Sequence, residues 1–464
     1  MNSKSIRTWT VVLTGLGSLM AALDTLVVST ALHTIRLDLG ASIEQLEWTV
    51  NAYNLSLAVL LIPAAALGDR YGRRRLYALG LALFALASAG CALAPSIGAL
   101  IAARAVQGAG AALVLTLALA LVSTAFPPER RGAAIGMFSA VTGLSVASGP
   151  LVGGAVVEGI NWEWIFWLNV PIGLLAVPFV LTRVRESFGR DTSLDIRGLG
   201  LVSAASFAIV WGLVRANDAG WDSVEVLAAL GTGALLAAAF VTWERRALEP
   251  MMPMRLFRSR GFSAGNAAIF FTFASLFTGV FFFAQLLQTA LGFGPLDAGL
   301  RLIPWTATFI TVAPIAGTLA DRYGERPFMV AGLLLQAAGL AWIALIAGPD
   351  ISYGQLVAPL IVAGVGVSMA IPSAQNSVVG SVEEDAIGKA AGANSMMREL
   401  GGVFGIALSV AVFAGAGGYA SAQAFTDGFA AAAGVAAALS LVGAAAGAAL
   451  PRRSARGEAV PAFG

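Results

Sequence analysis

Four ionisable side chains interrupt stretches that are otherwise apolar: Asp24, Arg104 and the adjacent Arg398 and Glu399. A charged side chain in hydrocarbon costs on the order of 2.5–3.5 kcal/mol to insert, so a role is the default expectation for each. The chemistry open to them is carriage of a proton rather than the making of bonds. Asp24 can accept a proton from one side and give it up when a substrate or a nearby cation displaces it. Its competing role is a structural hydrogen bond to a neighbouring helix. Arg104 either snorkels to the outer surface or points inward to pair with a carboxylate that has lost its proton. Adjacent residues of a helix point about 100° apart, so Arg398 and Glu399 are expected to reach different partners. That leaves an ion pair between helical bundles, or Glu399 as a second proton-coupling carboxylate. Asn266, Gln285 and Gln288 are polar groups that should not face lipid.

His33 and Cys91 are the only histidine and the only cysteine, and no HExxH or nucleotide-binding loop is present. An enzyme is therefore not expected, and neither a metal, a cofactor nor a nucleic-acid partner is implied. His33 reads as an interfacial residue.

The elements that must position these groups are membrane spans. Of 464 residues, 58% are apolar and 12% charged, with a mean hydropathy of +0.81, against about 25% charged in a globular chain. Crossing a bilayer takes about 20 apolar residues as a helix. Such runs fall near 9–32, 47–67, 76–94, 98–125, 132–157, 163–182, 198–215, 224–243, 263–290, 300–319, 327–347, 354–379, 387–416 and 425–449, fourteen in all. The first carries Asp24 and is too long for a signal peptide, so it is read as a retained span. Asp24 falls about 15 residues into it, roughly 22 Å from the inner end.

Charge asymmetry orients the set. Alternate loops hold nearly all of the basic residues, among them Arg70, Arg73, Arg130, Arg131, Arg245, Arg258, Arg322 and Arg326, while the opposite loops hold Arg36, Arg215 and Arg301. Basic loops stay inside, which places both termini in the cytoplasm.

The chain also repeats itself. Ala65 to Arg74 reappears as Gly317 to Arg326 at a shift of 252, and Gly108, Gly110, Gly136 and Gly149 reappear as Gly364, Gly366, Gly392 and Gly405 at a shift of 256. Two six-helix bundles in parallel repeat are implied, with an inserted helix pair between them and a site at their interface. The expected divisions are a first bundle over 1–182, a linker with the two extra helices over 183–262, a second bundle over 263–449 and a cytoplasmic tail over 450–464.

Three motifs carry more than packing. Gly68-Asp69-Arg70-Tyr71-Gly72-Arg73 and its copy Asp321-Arg322-Tyr323-Gly324 each follow a span. Their carboxylates are suited to accept from free amides at a helix start in the other bundle, where the dipole favours an anion, and their glycines to make the tight turn. Such a contact would exist in one of two states and act as a latch. Ser145, Gly149, Pro150, Gly153 and Gly154 mark a bend in the fifth span at which a neighbour can approach closely. The third is Leu23-Asp24-Thr25 together with Trp48 to Tyr53 and Arg104 to Gly110.

These segments resemble the major facilitator superfamily, and within it the drug:proton antiporter family with fourteen spans. The loop after the second span is similar to that superfamily's signature, and the run from Ser145 to Gly154 is similar to the antiporter motif of its exporters, with serine in the place of the first glycine. The linker from Glu249 to Phe262 and the run from Gly294 to Gly299 resemble the same family. The resemblance implies an all-α polytopic protein of the bacterial plasma or inner membrane. It implies a proton-coupled exporter of drugs or of hydrophobic or cationic small molecules by alternating access. It places a coupling carboxylate at Asp24, with Arg104 and Glu399 as the further candidates for coupling. It puts Gln285 and Gln288 on the helix that lines the superfamily's central cavity, which makes them, with Gln107, candidates for the substrate site. No protein partner is implied. An importer or uniporter of a small metabolite, or a transporter-like membrane sensor, are the alternatives.

Overall fold

The computed structural model describes residues 3–189, 195–247 and 250–451, and these are helical throughout apart from short connections. The helices are α1 (Ser3–Leu39), α2 (Ile43–Tyr71), α3 (Arg73–Ala92), α4 (Ile97–Ala125), α5 (Pro128–Gly159), α6 (Trp164–Trp167), α7 (Asn169–Arg183), α8 (Ile196–Ala219), α9 (Val224–Glu244), α10 (Arg260–Gln285), α11 (Pro295–Arg301), α12 (Ile303–Tyr323), α13 (Glu325–Ile346), α14 (Tyr353–Gly380), α15 (Ile387–Ala416) and α16 (Ala422–Ala448). Thirteen segments among the described residues are long and apolar enough to cross a bilayer, with α6 and α7 together making one of them. The expected span at 132–157 coincides with α5, a helix of 32 residues.

Helix starts follow ordinary capping chemistry. Ser42, Ser96, Ser223, Ser259 and Ser421 each accept from an amide in the first turn, which supplies a partner the helix itself lacks. Gly72 and Gly324 sit at φ +104° and +91°, where an L side chain is strained, and each ends one helix and begins the next. The motif loops are thus tight corners and not extended hairpins.

Two cores result. One is formed mainly by α1 to α5 and α7 and the other by α10 and α12 to α16. The glycine repeat explains their packing. A Cβ on Gly110 would strike the backbone of Phe84 in α3, and one on Gly366 would strike that of Gln336 in α13, so α4 meets α3 as α14 meets α13. In the same way Gly108 abuts the Tyr53 backbone of α2, and Gly364 abuts the Trp305 backbone of α12. Gly136 and Gly392 act between the bundles, against Ala313 and Pro314 of α12 and against Ala65 of α2. The inserted helix α8 lies along this second seam, where Val210 packs with Leu55 and Ala58 of α2 and with Leu400 and Val403 of α15.

Candidate functional site

Asp24 of α1 lies 1% exposed at the centre of a polar cluster contributed by five elements. One of its oxygens pairs with the Arg104 guanidinium of α4. The other accepts from the Gln107 amide at 2.8 Å and from the Asn169 amide at 2.9 Å. Gln107 is bound in turn to Ser88 of α3 at 2.7 Å. Arg104 has further partners of its own: the Gln107 carbonyl at 2.6 Å, the Thr49 backbone oxygen of α2 at 3.1 Å, and the Tyr53 ring, 4.3 Å below its central carbon. Tyr53 is held from behind, its hydroxyl donating to Ala21 at 3.1 Å.

Arg104 therefore points inward and does not snorkel. The reason lies in the spacing of α4: Arg104 and Gln107 are one turn apart and share a face, and that face meets α1 and α3. Gln107, expected in a substrate cavity, is fully buried within this cluster. Sequence reasoning missed Asn169, Ser88 and Thr49. Asn169, the one polar side chain between Trp164 and Leu181, is the one whose depth could have flagged it.

The second charged pair behaves differently from expectation. Arg398 and Glu399 bind each other, Nε and Nη2 of the arginine lying 2.9 and 2.8 Å from one carboxylate oxygen. The angular offset of neighbouring residues sets where each Cβ points, but two long side chains curl back across it. Their side chains are 16% and 20% exposed, so this pair is not sealed.

At the arginine-rich end the bundles are closed on one another. Both oxygens of Asp321 accept from backbone amides near the start of α5, Gly132 at 2.9 Å and Ala133 at 2.9 Å. Asp69 is buried and paired with Arg73 at 2.7 Å, while its backbone oxygen accepts from Gly189 at 2.9 Å. The start of α15 presses on its carboxylate so closely that a Cβ on Gly388 would collide with it. Gly68 has no room for a Cβ beside Leu117, and Arg70 and Arg322 stack on the tyrosines that follow them, at 5.2 and 5.3 Å. Deeper in the seam, Ser139 of α5 donates to Gln375 of α14 at 3.1 Å.

Ser145 and Gly149 are buried in α5, with the serine hydroxyl bonded to the Thr142 carbonyl; Pro150, Gly153 and Gly154 belong to the same helix, and their surroundings and those of the His33 side chain lie outside what the structure describes. Gln285 ends α10, donating to Phe281 and accepting from the Tyr419 hydroxyl, and Gln288 stands exposed on the π-helical turn Leu286–Ala290 that follows. Neither meets Gln107, which belongs to the other bundle.

Residues 14–406 and 266–463 match the model of the Major Facilitator Superfamily. The tetracenomycin C resistance and export protein of Streptomyces glaucescens is 36% identical over 406 residues, 87% of this chain and 75% of that one. The multidrug resistance protein Stp of Mycobacterium tuberculosis is 36% identical over 407 residues, 87% of this chain and 75% of that one. The cephamycin export protein of Amycolatopsis lactamdurans is 34% identical over 417 residues, 88% of this chain and 85% of that one. Among solved structures, the superfamily's proton:xylose symporter XylE superposes with a TM-score of 0.67 at 15% identity, covering 96% of this chain and 95% of the other. The repeat, the motif loops and the buried charges thus have one common frame, and this chain belongs to the major facilitator superfamily.

Proposed function

We propose that the chain is a proton-driven exporter of small hydrophobic compounds, in which Asp24 carries the proton and the two motif loops latch the cytoplasmic face. One observation carries the coupling: Arg104 keeps partners in both protonation states of Asp24. While Asp24 is charged, Arg104, Gln107 and Asn169 satisfy it. Once Asp24 is neutral, the guanidinium still has the Gln107 carbonyl, the Thr49 carbonyl and the Tyr53 ring. Removing one charge of a buried pair otherwise costs about 3–5 kcal/mol, and those partners lower that cost enough for the pair to cycle. The export direction follows the relatives, which are named for resistance and export.

A proton falling through about 100 mV releases roughly 2.3 kcal/mol, which sustains a several-tens-fold gradient of a neutral solute. The test is Asp24→Asn in proteoliposomes. The variant should bind substrate yet fail to accumulate it under an imposed proton gradient, and substrate should release no protons from it in detergent. Proton release at the wild-type level would move the assignment to Glu399.

A further inference from the structure

Beyond the sealed Asp24 cluster, one charged pair at membrane depth lies within reach of a ligand. Arg398 and Glu399 are about 11 residues into α15, roughly 17 Å from its cytoplasmic start. Their side chains keep 16% and 20% of their surface accessible, whereas those of Asp24 and Arg104 keep 1% each. An ion pair at that depth is costly against acyl chains, so its accessible side is expected to face a polar space between the helices and not lipid. Both contacts of Arg398 to its neighbour end on the same oxygen, Oε1 of Glu399. That leaves Nη1 of Arg398, with its two N–H groups, and Oε2 of Glu399 without a hydrogen bond to any described residue, as donor and acceptor for a ligand. The guanidinium stands 5.7 Å from the Phe273 ring, and half-buried Phe277 lies 6.0 Å from Phe273.

Charge decides the ligand. Among the described residues, every other Asp, Glu, Lys, Arg and His falls within about two turns of a helix end. While Asp24 is ionised, the interior at depth therefore holds two neutral pairs and no net charge. A permanent cation or anion would enter with nothing to compensate it, a penalty on the order of tenfold or more in affinity. We propose that Arg398, Glu399 and Phe273 form a binding site for an electrically neutral, flat aromatic compound with a hydrogen-bonding head, and that the balance of the pair sets charge selectivity. This deepens the exporter reading and takes from it only the direction of movement. Binding is measured without a proton gradient, so failed coupling and a failed site give separate results.

The probes are one naphthalene nucleus bearing a hydroxymethyl, a trimethylammonium or a carboxylate group, in equilibrium dialysis against the purified full chain in detergent. The hydroxymethyl form should bind at least about tenfold tighter than either charged form. Glu399→Gln leaves Arg398 in excess and should move the preference to the carboxylate. Arg398→Gln should move it to the ammonium, and the double variant should return it to the hydroxymethyl. A wild-type chain that binds the ammonium form as well or better, or binds none of the three, overturns the proposal whatever the variants do. So does an unchanged order of preference in both single variants once each melts as the wild type does.

Discussion

Replacing Asp321 by asparagine keeps the size of the side chain but takes away its charge and one of its two acceptors. The carboxylate holds Gly132 and Ala133 at 2.9 Å each, across the seam between the bundles, and the site is half-buried. A hydrogen bond to a charged group contributes about 1.5–3 kcal/mol, so the loss of one tilts the balance away from the closed cytoplasmic face by roughly ten- to hundredfold. Ser139 reports on that balance, because it is 1% exposed beside Gln375 in the closed seam and is uncovered when the seam opens. With Ser139→Cys, in a background where fully buried Cys91 is replaced by serine, the introduced thiol should react with a maleimide at a rate proportional to the open fraction. Asp321→Asn should raise that rate by the same ten- to hundredfold while leaving the melting temperature nearly unchanged. A rate within twofold of the parent would mean that the contact follows closure without stabilising it, and the latch reading would fail.

Further outcomes follow from the same geometry. Arg104→Ala leaves Asp24 buried without its counter-ion and should cost about 3–5 kcal/mol, read as a loss of melting temperature that Asp24→Asn in the same chain largely restores. Gly136→Ala places a Cβ 2.6 Å from the Ala313 carbonyl of α12, so the closed seam should be forced apart and the Ser139→Cys thiol should label faster even with Asp321 intact. Cysteines replacing Arg185 and Asp350, both exposed, should react from opposite faces of the membrane, and labelling of both from one face would break the charge-based orientation.

Much of the architecture was legible because it rests on signals that a single chain carries by itself. Apolar runs mark spans, and paired glycines mark where helices touch. The glycine shift of 256 identified the right contacts because only a missing Cβ lets backbones approach as α4 approaches α3 at Gly110. Side-chain partnership is another matter. Asp24 and Arg104 are 80 positions apart, and nothing along the chain couples them or brings in Asn169, 145 positions from Asp24. The self-pairing of Arg398 with Glu399 escaped for a different reason, since a helical wheel describes Cβ directions and says little about two long, flexible side chains.

The repeat also shows which residues packing does not require. Shifted by 256, Arg104 corresponds to Leu360, a buried member of the second core, and Arg398 and Glu399 correspond to Thr142 and Gly143 of α5. The glycines are present twice because both bundles must solve the same packing problem, whereas each charged pair is present once. A group needed merely to join helices would be wanted in both halves. Ionised pairs bring no reliable gain in stability over apolar residues of similar volume, so their asymmetry argues for work done at one place. That asymmetry supports the proposed division of labour, in which the sealed pair of the first bundle holds a proton away from solvent and the accessible pair of the second meets what is carried.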